Sequence, residues 1–466
     1  MNTLLSDNTL SPKAVNEFFK NQKQAGNEIH CIQIYKDGKI VMSASQNPYD
    51  IKDKRELYSL SKTFTSTSIG IASDMGLLSV DEKIVDIFPD KCPENISENL
   101  AKMTIKHVLS MNTGHEKCVM PKMYQSDDCV RAFLEQSVDF EPGTHFTYNT
   151  GATCLLSAII QKRTGMSLLE FAQKHIFEPL EIKNAYWNKV KDGTDEGGVG
   201  LHVSCDDILK LGIMYLNKGI YNGRRILSEE WIKQASSAIS DNSQNGRPDW
   251  CAGYGYQIWM NNKGGYRADG AFGQLCMVLP KYNAVVAVVA RCENMQKEID
   301  FVFDLLESKE VSKEPLENLG FETLAKTEVE NLPFEEKTYI LNENACGFES
   351  VSINTYGDEL EICFNDGKNE QILKAGNGEY IKSSYNAKFR KPKICGMMRA
   401  DFEEILDCAA CYTVKDGVVE ILVRFLNSPN IEIIKIYNQN GKLNIDFCGD
   451  PFGGTVYECA NKVVEK

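Results

Sequence analysis

A serine placed three positions before a lysine could form an activated nucleophile in this chain. The tetrad begins at Ser59 and ends at Lys62, and Ser59 is the only serine with a lysine at this spacing. A serine hydroxyl needs a base within hydrogen-bond reach before it can attack a carbonyl. Residues i and i+3 share one face of a helix, so Lys62 can lie beside Ser59. Burial lowers the pKa of a lysine, and its neutral amine can then accept the serine proton.

The same tetrad also has a purely structural interpretation, in which Ser59 caps the start of a solvent-exposed helix. The spacing alone does not decide between the two. The order of the segments around the tetrad does, because together they resemble motifs of the serine β-lactamase, penicillin-binding-protein and esterase superfamily. The resemblance runs from about residue 25 to 305, and the segments that carry it are Leu57–Thr65, Asp74–Asp81, Met103–Gly114, Pro142–Thr150 and Gly200–Ile208.

The resemblance implies a serine hydrolase with Ser59 as nucleophile, Lys62 as base and Tyr148 as a second acid/base group. Tyr148 occupies the tyrosine of the family's second motif, which is usually Tyr-x-Asn. Here the third place is Thr150, and Asn149 stands one position early. Either side chain could hydrogen-bond a substrate amide, and the resemblance leaves both open.

The family's third motif, Lys-Thr-Gly or His-x-Gly, has its best match between Arg267 and Gln274. Ala268 replaces the cation, Asp269 replaces the threonine, and Gly270 is kept. In β-lactamases and transpeptidases, the cation of this motif binds a carboxylate group of the substrate. We therefore expect β-lactamase activity to be weak or absent.

Two further expectations follow from this third motif. By resemblance, the backbone N–H groups of Ser59 and Ala271 form the oxyanion hole. Asp269, with Gly270 and Arg267 beside it, could face the pocket and favour a substrate amine. Alternatively, Asp269 pairs with Arg267 or Lys263 on the strand.

The hydrophobic periodicity predicts an α+β fold, an α/β sandwich with an antiparallel sheet, flanking helices and an inserted helical subdomain. A hairpin turns at Asp37-Gly38, a helix runs from Ser59 to about Met75, and a buried strand covers Ala284–Ala290. The other predicted helices are Ser11–Gln24, Leu155–Arg163, Ser167–Ile176, Asp206–Asn217 and Phe301–Leu306, and the other strands are Gly253–Met260 and Gly265–Leu279.

Composition changes beyond the hydrolase-like region. We predict a hydrolase domain over residues 1–307, a linker over 308–337 and a β-rich domain over 338–466. Short strands separated by turn residues predict a small barrel or sandwich, and this part resembles the lipocalin-like barrels attached to some family members.

Charge and hydropathy exclude several kinds of partner. The formal net charge is −14 and no basic run occurs, so we expect neither nucleic acid nor an anionic membrane as a partner. The N-terminal residues are polar, and no apolar run approaches the ~20 residues of a membrane span. We expect a cytoplasmic protein.

The chain has 16 cysteines, scattered along its length, with one close pair at Cys408 and Cys411. A metal or redox site would need a second pair or a histidine cluster, and the sequence has neither. We expect reduced, structural thiols and no metal or organic cofactor.

The expected reaction is acyl transfer through a serine-bound intermediate on a small-molecule or short-peptide substrate. An amidase or peptidase and a carboxylesterase stay open, as do a monomer and a homo-oligomer. The altered second and third motifs also leave room for a binding or sensor protein that is inactive or deacylates slowly.

Overall fold

The computed structural model describes residues 2–5, 9–309, 314–317, 321, 323–328, 332–344, 346–386, 405–449 and 461–466. The chain forms two compact units. Residues 2–45 and 51–317 form the first, and residues 46–50 and 318–466 form the second. The linker predicted for 308–337 lies partly outside the described residues.

The first unit is built on a seven-stranded antiparallel sheet. Its strands lie in the order β1 (Asn2–Leu5), β3 (Lys39–Ser45), β2 (Asn27–Lys36), β12 (Ala284–Cys292), β11 (Gln274–Leu279), β10 (Tyr266–Gly270) and β9 (Trp259–Met260). Strand β12 is buried along its whole length, as expected of a central strand covered on both faces. Asp37 and Gly38 both have positive φ, at 50° and 88°, which gives the tight turn between β2 and β3. The strands of this unit are β1 (Asn2–Leu5), β2 (Asn27–Lys36), β3 (Lys39–Ser45), β4 (Arg55–Glu56), β5 (Tyr186–Trp187), β6 (Leu201–Val203), β7 (Ile220–Tyr221), β8 (Arg224–Arg225), β9 (Trp259–Met260), β10 (Tyr266–Gly270), β11 (Gln274–Leu279) and β12 (Ala284–Cys292).

Helices from both ends of the first unit and one from its middle pack on this sheet, and most of the others form the inserted helical region. The helices are α1 (Pro12–Gln24), α2 (Ser61–Asp74), α3 (Ile84–Ile87), α4 (Glu98–Lys102), α5 (Ile105–Leu109), α6 (Met120–Tyr124), α7 (Cys129–Leu134), α8 (Thr150–Thr164), α9 (Leu168–Ala172), α10 (Cys205–Leu216), α11 (Glu229–Ala235) and α12 (Met295–Glu307). Helices α1 and α12 pack against each other and the sheet, α10 packs against β2, β11 and β12, and α2 packs against α8 and α9. The predicted α+β class is confirmed.

Several predicted elements differ from the observed ones. The strand predicted for Gly265–Leu279 is two strands, β10 and β11, joined by a turn, and the helix predicted for Leu155–Arg163 begins at Thr150. The strand predicted for Gly253–Met260 is mostly loop: Trp259–Met260 pairs with β10, and Tyr254 forms only isolated bridges, to Ser240 and Trp259. Its aromatic residues pack in the core through tertiary contacts instead of a sheet ladder. The helix predicted for Phe301–Leu306 begins earlier, at Met295, because the Asn294 side chain caps it by accepting a hydrogen bond from Lys297 N.

The second unit is one ten-stranded sheet with its own core. Burial alternates along its strands, for example in Glu359–Asn365, so one face packs inward. Cys408 and Cys411 are both buried, but they lie three residues apart on one strand and therefore point to opposite faces. The strands are β13 (Lys337–Ile340), β14 (Ser350–Tyr356), β15 (Glu359–Asn365), β16 (Glu370–Asn377), β17 (Ile381–Asn386), β18 (Ile405–Lys415), β19 (Val418–Phe425), β20 (Ile431–Gln439), β21 (Lys442–Gly449) and β22 (Asn461–Val464).

In the part of the chain that the structure describes, every helix is too short or too polar to cross a bilayer.

Candidate active site

Ser59 lies on a single 3₁₀ turn, Tyr58–Leu60, immediately before α2. Tyr58 has a φ of 49°, a left-handed conformation that is uncommon for a bulky residue. Such backbone strain is often found at functional sites, where surrounding packing holds it in place. Here the strained turn leaves Ser59 partly exposed while both its neighbours are buried.

The Lys62 amine is buried and lies beside the Ser59 hydroxyl. Its Nζ donates hydrogen bonds to Ser59 Oγ at 3.1 Å, Thr150 Oγ1 at 3.2 Å and Gly198 O at 2.7 Å. It also lies 4.9 Å from the centre of the Tyr148 ring. The side chain is only 1% exposed, so these contacts fix the amine against the serine.

Burial lowers the pKa of Lys62 to about 7, although the charges of Cys118, Asp269 and Glu196 oppose the shift. An amine with this pKa is neutral in a large fraction of molecules near pH 7. It can therefore act as a general base, which an ordinary lysine cannot do at that pH.

Tyr148 lies across the same site, just before α8. Its ring stacks on Trp259 with centroids 5.2 Å apart and meets Tyr254 edge-on at 6.1 Å. Burial raises the pKa of the Tyr148 phenol, and hydrogen bonding with Ser59 only partly offsets this. The phenol is consequently protonated near pH 7 and can donate a proton.

The turn between β10 and β11 approaches the serine from the other side. A side chain at Gly270 would overlap the carbonyl oxygen of Leu57, so only glycine allows this approach. Phe272 in this turn has a φ of 67°, and its ring packs edge-on against Tyr58 at 5.1 Å. The two strained turns thus hold each other in place, with Ser59 and Ala271 both lining one pocket.

This pocket has a volume of about 360 Å³, within the size range typical of small-ligand sites. Its catalytic side is formed by Ser59, Tyr148, Gly270 and Ala271. The opposite wall mixes aromatic, apolar and polar side chains, namely Asn245, Arg247, Trp250, Trp259, Asp269 and Met295.

Asp269 lies in the pocket wall and is paired with Arg267. The Arg267 guanidinium donates to Asp269 Oδ2 from Nε at 3.0 Å, and its Nη2 lies 2.9 Å from the same oxygen. Burial raises the pKa of Asp269, while the Arg267 charge acts to lower it. Of the two predicted ion-pair partners, Arg267 is the observed one, and Lys263 lies instead against Asp304.

Three residues predicted to contact substrate have other positions. Arg267 is fully buried beneath the pocket wall, where it also bonds Asp249 O and Asn261 Oδ1. Asn149 is buried at the start of α8, and its Oδ1 accepts a hydrogen bond from Val119 N. Thr150 accepts from Lys62, so its hydroxyl supports the base.

The aromatic and polar wall was largely missed from the sequence. Of its members, Asp269 is the one that the sequence analysis named as a candidate for the pocket. Asn245, Arg247 and Trp250 come from an irregular segment with no periodicity, and the one available signal was its Asn, Gly and Pro content between helical and strand regions. Loops of this kind often carry binding residues.

No group of three or more His, Cys, Asp or Glu side chains among the described residues is arranged to hold a metal ion.

The comparisons with known proteins identify the family of this chain. The beta-lactamase family model matches residues 27–306. An uncharacterized protein of Alkalihalophilus pseudofirmus is 25% identical over 44% of this chain and 61% of its own length. A D-aminopeptidase of Brucella anthropi is 26% identical over 33% of this chain and 32% of its own length. This chain therefore spans about a third to three-fifths of these relatives.

A solved structure with the same fold extends over nearly the whole chain. The octameric penicillin-binding protein homologue from Pyrococcus abyssi has a TM-score of 0.52 and 16% identity, covering 97% of this chain and 99% of its own.

Proposed function

Since this chain belongs to the beta-lactamase family, we propose that it is a serine hydrolase that cleaves an amide or ester through an acyl-enzyme on Ser59. The observation that carries the proposal is the buried Lys62 amine, 3.1 Å from Ser59 Oγ, with its pKa lowered to about 7. Neither a metal nor an organic cofactor is needed for this chemistry.

In the acylation step, Lys62 Nζ accepts the Ser59 proton as Oγ attacks the substrate carbonyl carbon. Negative charge then develops on the carbonyl oxygen. The proposed oxyanion hole, the backbone N–H groups of Ser59 and Ala271, would stabilise that charge, and such donors contribute several kcal/mol. Gly270 supports this arrangement because it brings the Ala271 turn against the serine turn.

In the next step the carbon–heteroatom bond breaks and the leaving group needs a proton. Tyr148 is suited to deliver it, because its phenol is protonated near pH 7 and lines the same pocket as Ser59. The proton that Lys62 holds can then restore the phenol. A water molecule attacks the acyl-enzyme, gives one proton back through the same groups, and releases the acid with Ser59 regenerated.

The substrate is proposed to be a small molecule or a short peptide. The aromatic wall of Trp250 and Trp259 suits an apolar or planar portion of such a substrate. A D-aminopeptidase among the relatives supports an amide substrate, although the family chemistry serves esters equally well. With Ala268 in place of the cation, β-lactam hydrolysis should be weak.

The decisive experiment is intact-protein mass spectrometry after treatment with a fluorophosphonate. We expect one adduct on the wild-type protein and none on Ser59→Ala, with strongly slowed labelling of Lys62→Met. A folded wild-type protein that forms no adduct would overturn the proposal and favour a non-catalytic binding protein.

The same experiment separates turnover from slow deacylation. Incubation with a para-nitrophenyl ester should give steady product release and little accumulated acyl-enzyme. A single burst of nitrophenol followed by a stable mass increase would instead indicate the sensor-like alternative.

We also propose that the hydrolase domain covers residues 1–307 and a separate β domain covers 338–466.

An oligomer is proposed by analogy with the octameric homologue. Light scattering coupled to size-exclusion chromatography tests it, and a monomeric mass would reject it.

A further inference from the structure

The charged side chains around the pocket differ in how buried they are and in whether they already have a partner. Arg267 and Asp269 form a buried ion pair, so their charges largely compensate each other. Lys62 is buried and occupied with three acceptors. Arg247, in contrast, is an exposed member of the pocket wall. Among the described residues, no carboxylate lies within ion-pair distance of its guanidinium.

The position of Arg247 is supported by its neighbours. Its guanidinium lies 5.9 Å from the Trp250 ring centre, and the buried Arg267 guanidinium lies 4.5 Å from the same ring. Hydrogen bonds within the loop also hold its backbone in place. Trp250 N donates to Arg247 O at 2.9 Å, and Asn245 Nδ2 donates to Trp250 O at 2.9 Å. An aromatic contact of this kind restricts a long side chain and keeps the cation near the pocket.

We propose that Arg247 binds a carboxylate carried by the substrate, so that the enzyme prefers anionic acyl compounds. The inference rests on the proposed hydrolase function. A guanidinium offers paired N–H donors that match a carboxylate. The third-motif position cannot supply this cation, because Ala268 stands there. Asp269 does not oppose an anion strongly, because Arg267 neutralises it.

The test compares two esters that differ in the charge at one end: the mono-para-nitrophenyl ester of terephthalic acid, whose carboxylate cannot reach its own ester, and the same compound with that carboxyl group methylated. We expect the wild-type kcat/KM to be higher for the acid. In Arg247→Gln the ratio of the two values should fall about tenfold, mainly through KM, whereas Arg247→Lys should retain part of it. Raising the ionic strength should lower the wild-type ratio, because the cation is exposed.

Arg224→Gln is the matched control. Arg224 is also an exposed arginine, but it lies on the β7–β8 hairpin, outside the pocket wall. This variant should keep the wild-type ratio. A wild-type protein without preference for the acid, or an Arg247→Gln variant with an unchanged ratio, would overturn the proposal.

A binding measurement separates this inference from the proposed mechanism. In Ser59→Ala, which cannot form an acyl-enzyme, quenching of tryptophan fluorescence can report binding of the same two esters. Tighter binding of the acid, lost in Ser59→Ala/Arg247→Gln, supports the carboxylate site even if fluorophosphonate labelling fails. Equal binding of both esters rejects it even if labelling succeeds.

Discussion

Lys62 has to be held firmly and yet give up its charge. Three hydrogen-bond acceptors hold the amine; two of them are Thr150, the first residue of α8, and Gly198, in the loop before β6. Burial acts against the charged form and lowers the pKa of the amine to about 7. The nearby Asp269 and Glu196 charges keep the pKa from falling further. This balance suits the lysine to the role of general base that we propose for it near neutral pH.

The pH dependence of acylation follows from this pKa. Below pH 7 the Lys62 amine is protonated and cannot accept the Ser59 proton. We therefore expect the fluorophosphonate labelling rate to rise as pH increases through about 7 and then level off. Lys62→Met should lower the rate by about 10²–10⁴-fold and remove this step from the profile. A wild-type rate that is flat between pH 6 and 8 would show that another group is the base.

The buried Arg267 should matter for stability. Replacing it with methionine removes the donors to Asp269, Asp249 O and Asn261 and leaves an unpaired buried carboxyl group. Loss of one partner of a buried ion pair typically costs about 3–5 kcal/mol. Urea unfolding should show a decrease of this size for Arg267→Met. The exposed Arg224→Met should change the free energy of unfolding by less than about 0.5 kcal/mol, and equal effects would contradict the argument.

Sequence spacing placed Lys62 beside Ser59 correctly, but it did not locate most of the pocket wall. One helical turn separates Ser59 from Lys62, so their spacing alone predicts that they are neighbours. Residues two apart on a strand lie on the same face, which favours the ion pair between Arg267 and Asp269. The sequence predicted that Arg267 contacts substrate, but its side chain is fully buried beneath the pocket wall. The alternation of side chains along a strand predicts which face a residue lies on, but not how deeply it is buried. Arg247 and Trp250 belong to a loop whose path depends on tertiary contacts.

At the level of elements, the site depends on two strained turns that press against each other. Tyr58 and Phe272 both have left-handed backbones, and their rings are in contact. Gly270 lets strand β10 come close enough for a carbonyl of the serine turn to occupy the space of a side chain. The proposed catalytic geometry therefore depends on the distance between the start of α2 and the end of β10.

A methyl group at Gly270 should disturb this distance. In Gly270→Ala the added Cβ meets the backbone of Leu57, which cannot move aside as a flexible side chain would. We expect labelling of Ser59 to slow by about 10²-fold or more, because misplacement by about 1 Å can cost that much. The labelling rate and the urea midpoint should be measured on the same sample.

Gly223→Ala provides the comparison for this variant. Gly223 has a φ of 76° but open space around it, so alanine there adds backbone strain without a collision. Its cost should be about 1–2 kcal/mol of stability, with a normal labelling rate. If Gly270→Ala labels as fast as Gly223→Ala, the close approach is not needed for catalysis.

Periodicity and turn residues predicted most elements of the first unit. The apolar run at Ala284–Ala290 and the turn at Asp37-Gly38 were predicted correctly, because in both the local sequence itself favours the observed conformation. The segment Gly253–Met260 does not, because strand formation needs a partner and most of this segment has none. Its aromatic residues have a high propensity for strands, but most of the segment has no neighbouring strand to form a sheet with.

For the molecule as a whole, the two units have separate cores. The core of the second unit is formed by inward-facing residues of its own sheet, among them Ile353, Ile362 and Ile421. All four tryptophans of the chain, Trp187, Trp231, Trp250 and Trp259, lie in the first unit. Tryptophan fluorescence therefore reports unfolding of the first unit, whereas far-ultraviolet circular dichroism reports both.

This difference allows a test of whether each unit depends on its own core. Ile421 is fully buried in β19, and Ile421→Ala should lower the stability of the second unit by about 2–5 kcal/mol. The circular dichroism signal should then begin to fall at lower urea concentration, while the fluorescence midpoint and Ser59 labelling stay as in the wild type. Ile372→Ala is the control, because Ile372 is 44% exposed in the same sheet and should cost less than about 1 kcal/mol. A fluorescence midpoint that moves together with the circular dichroism signal would mean that the two units unfold as one.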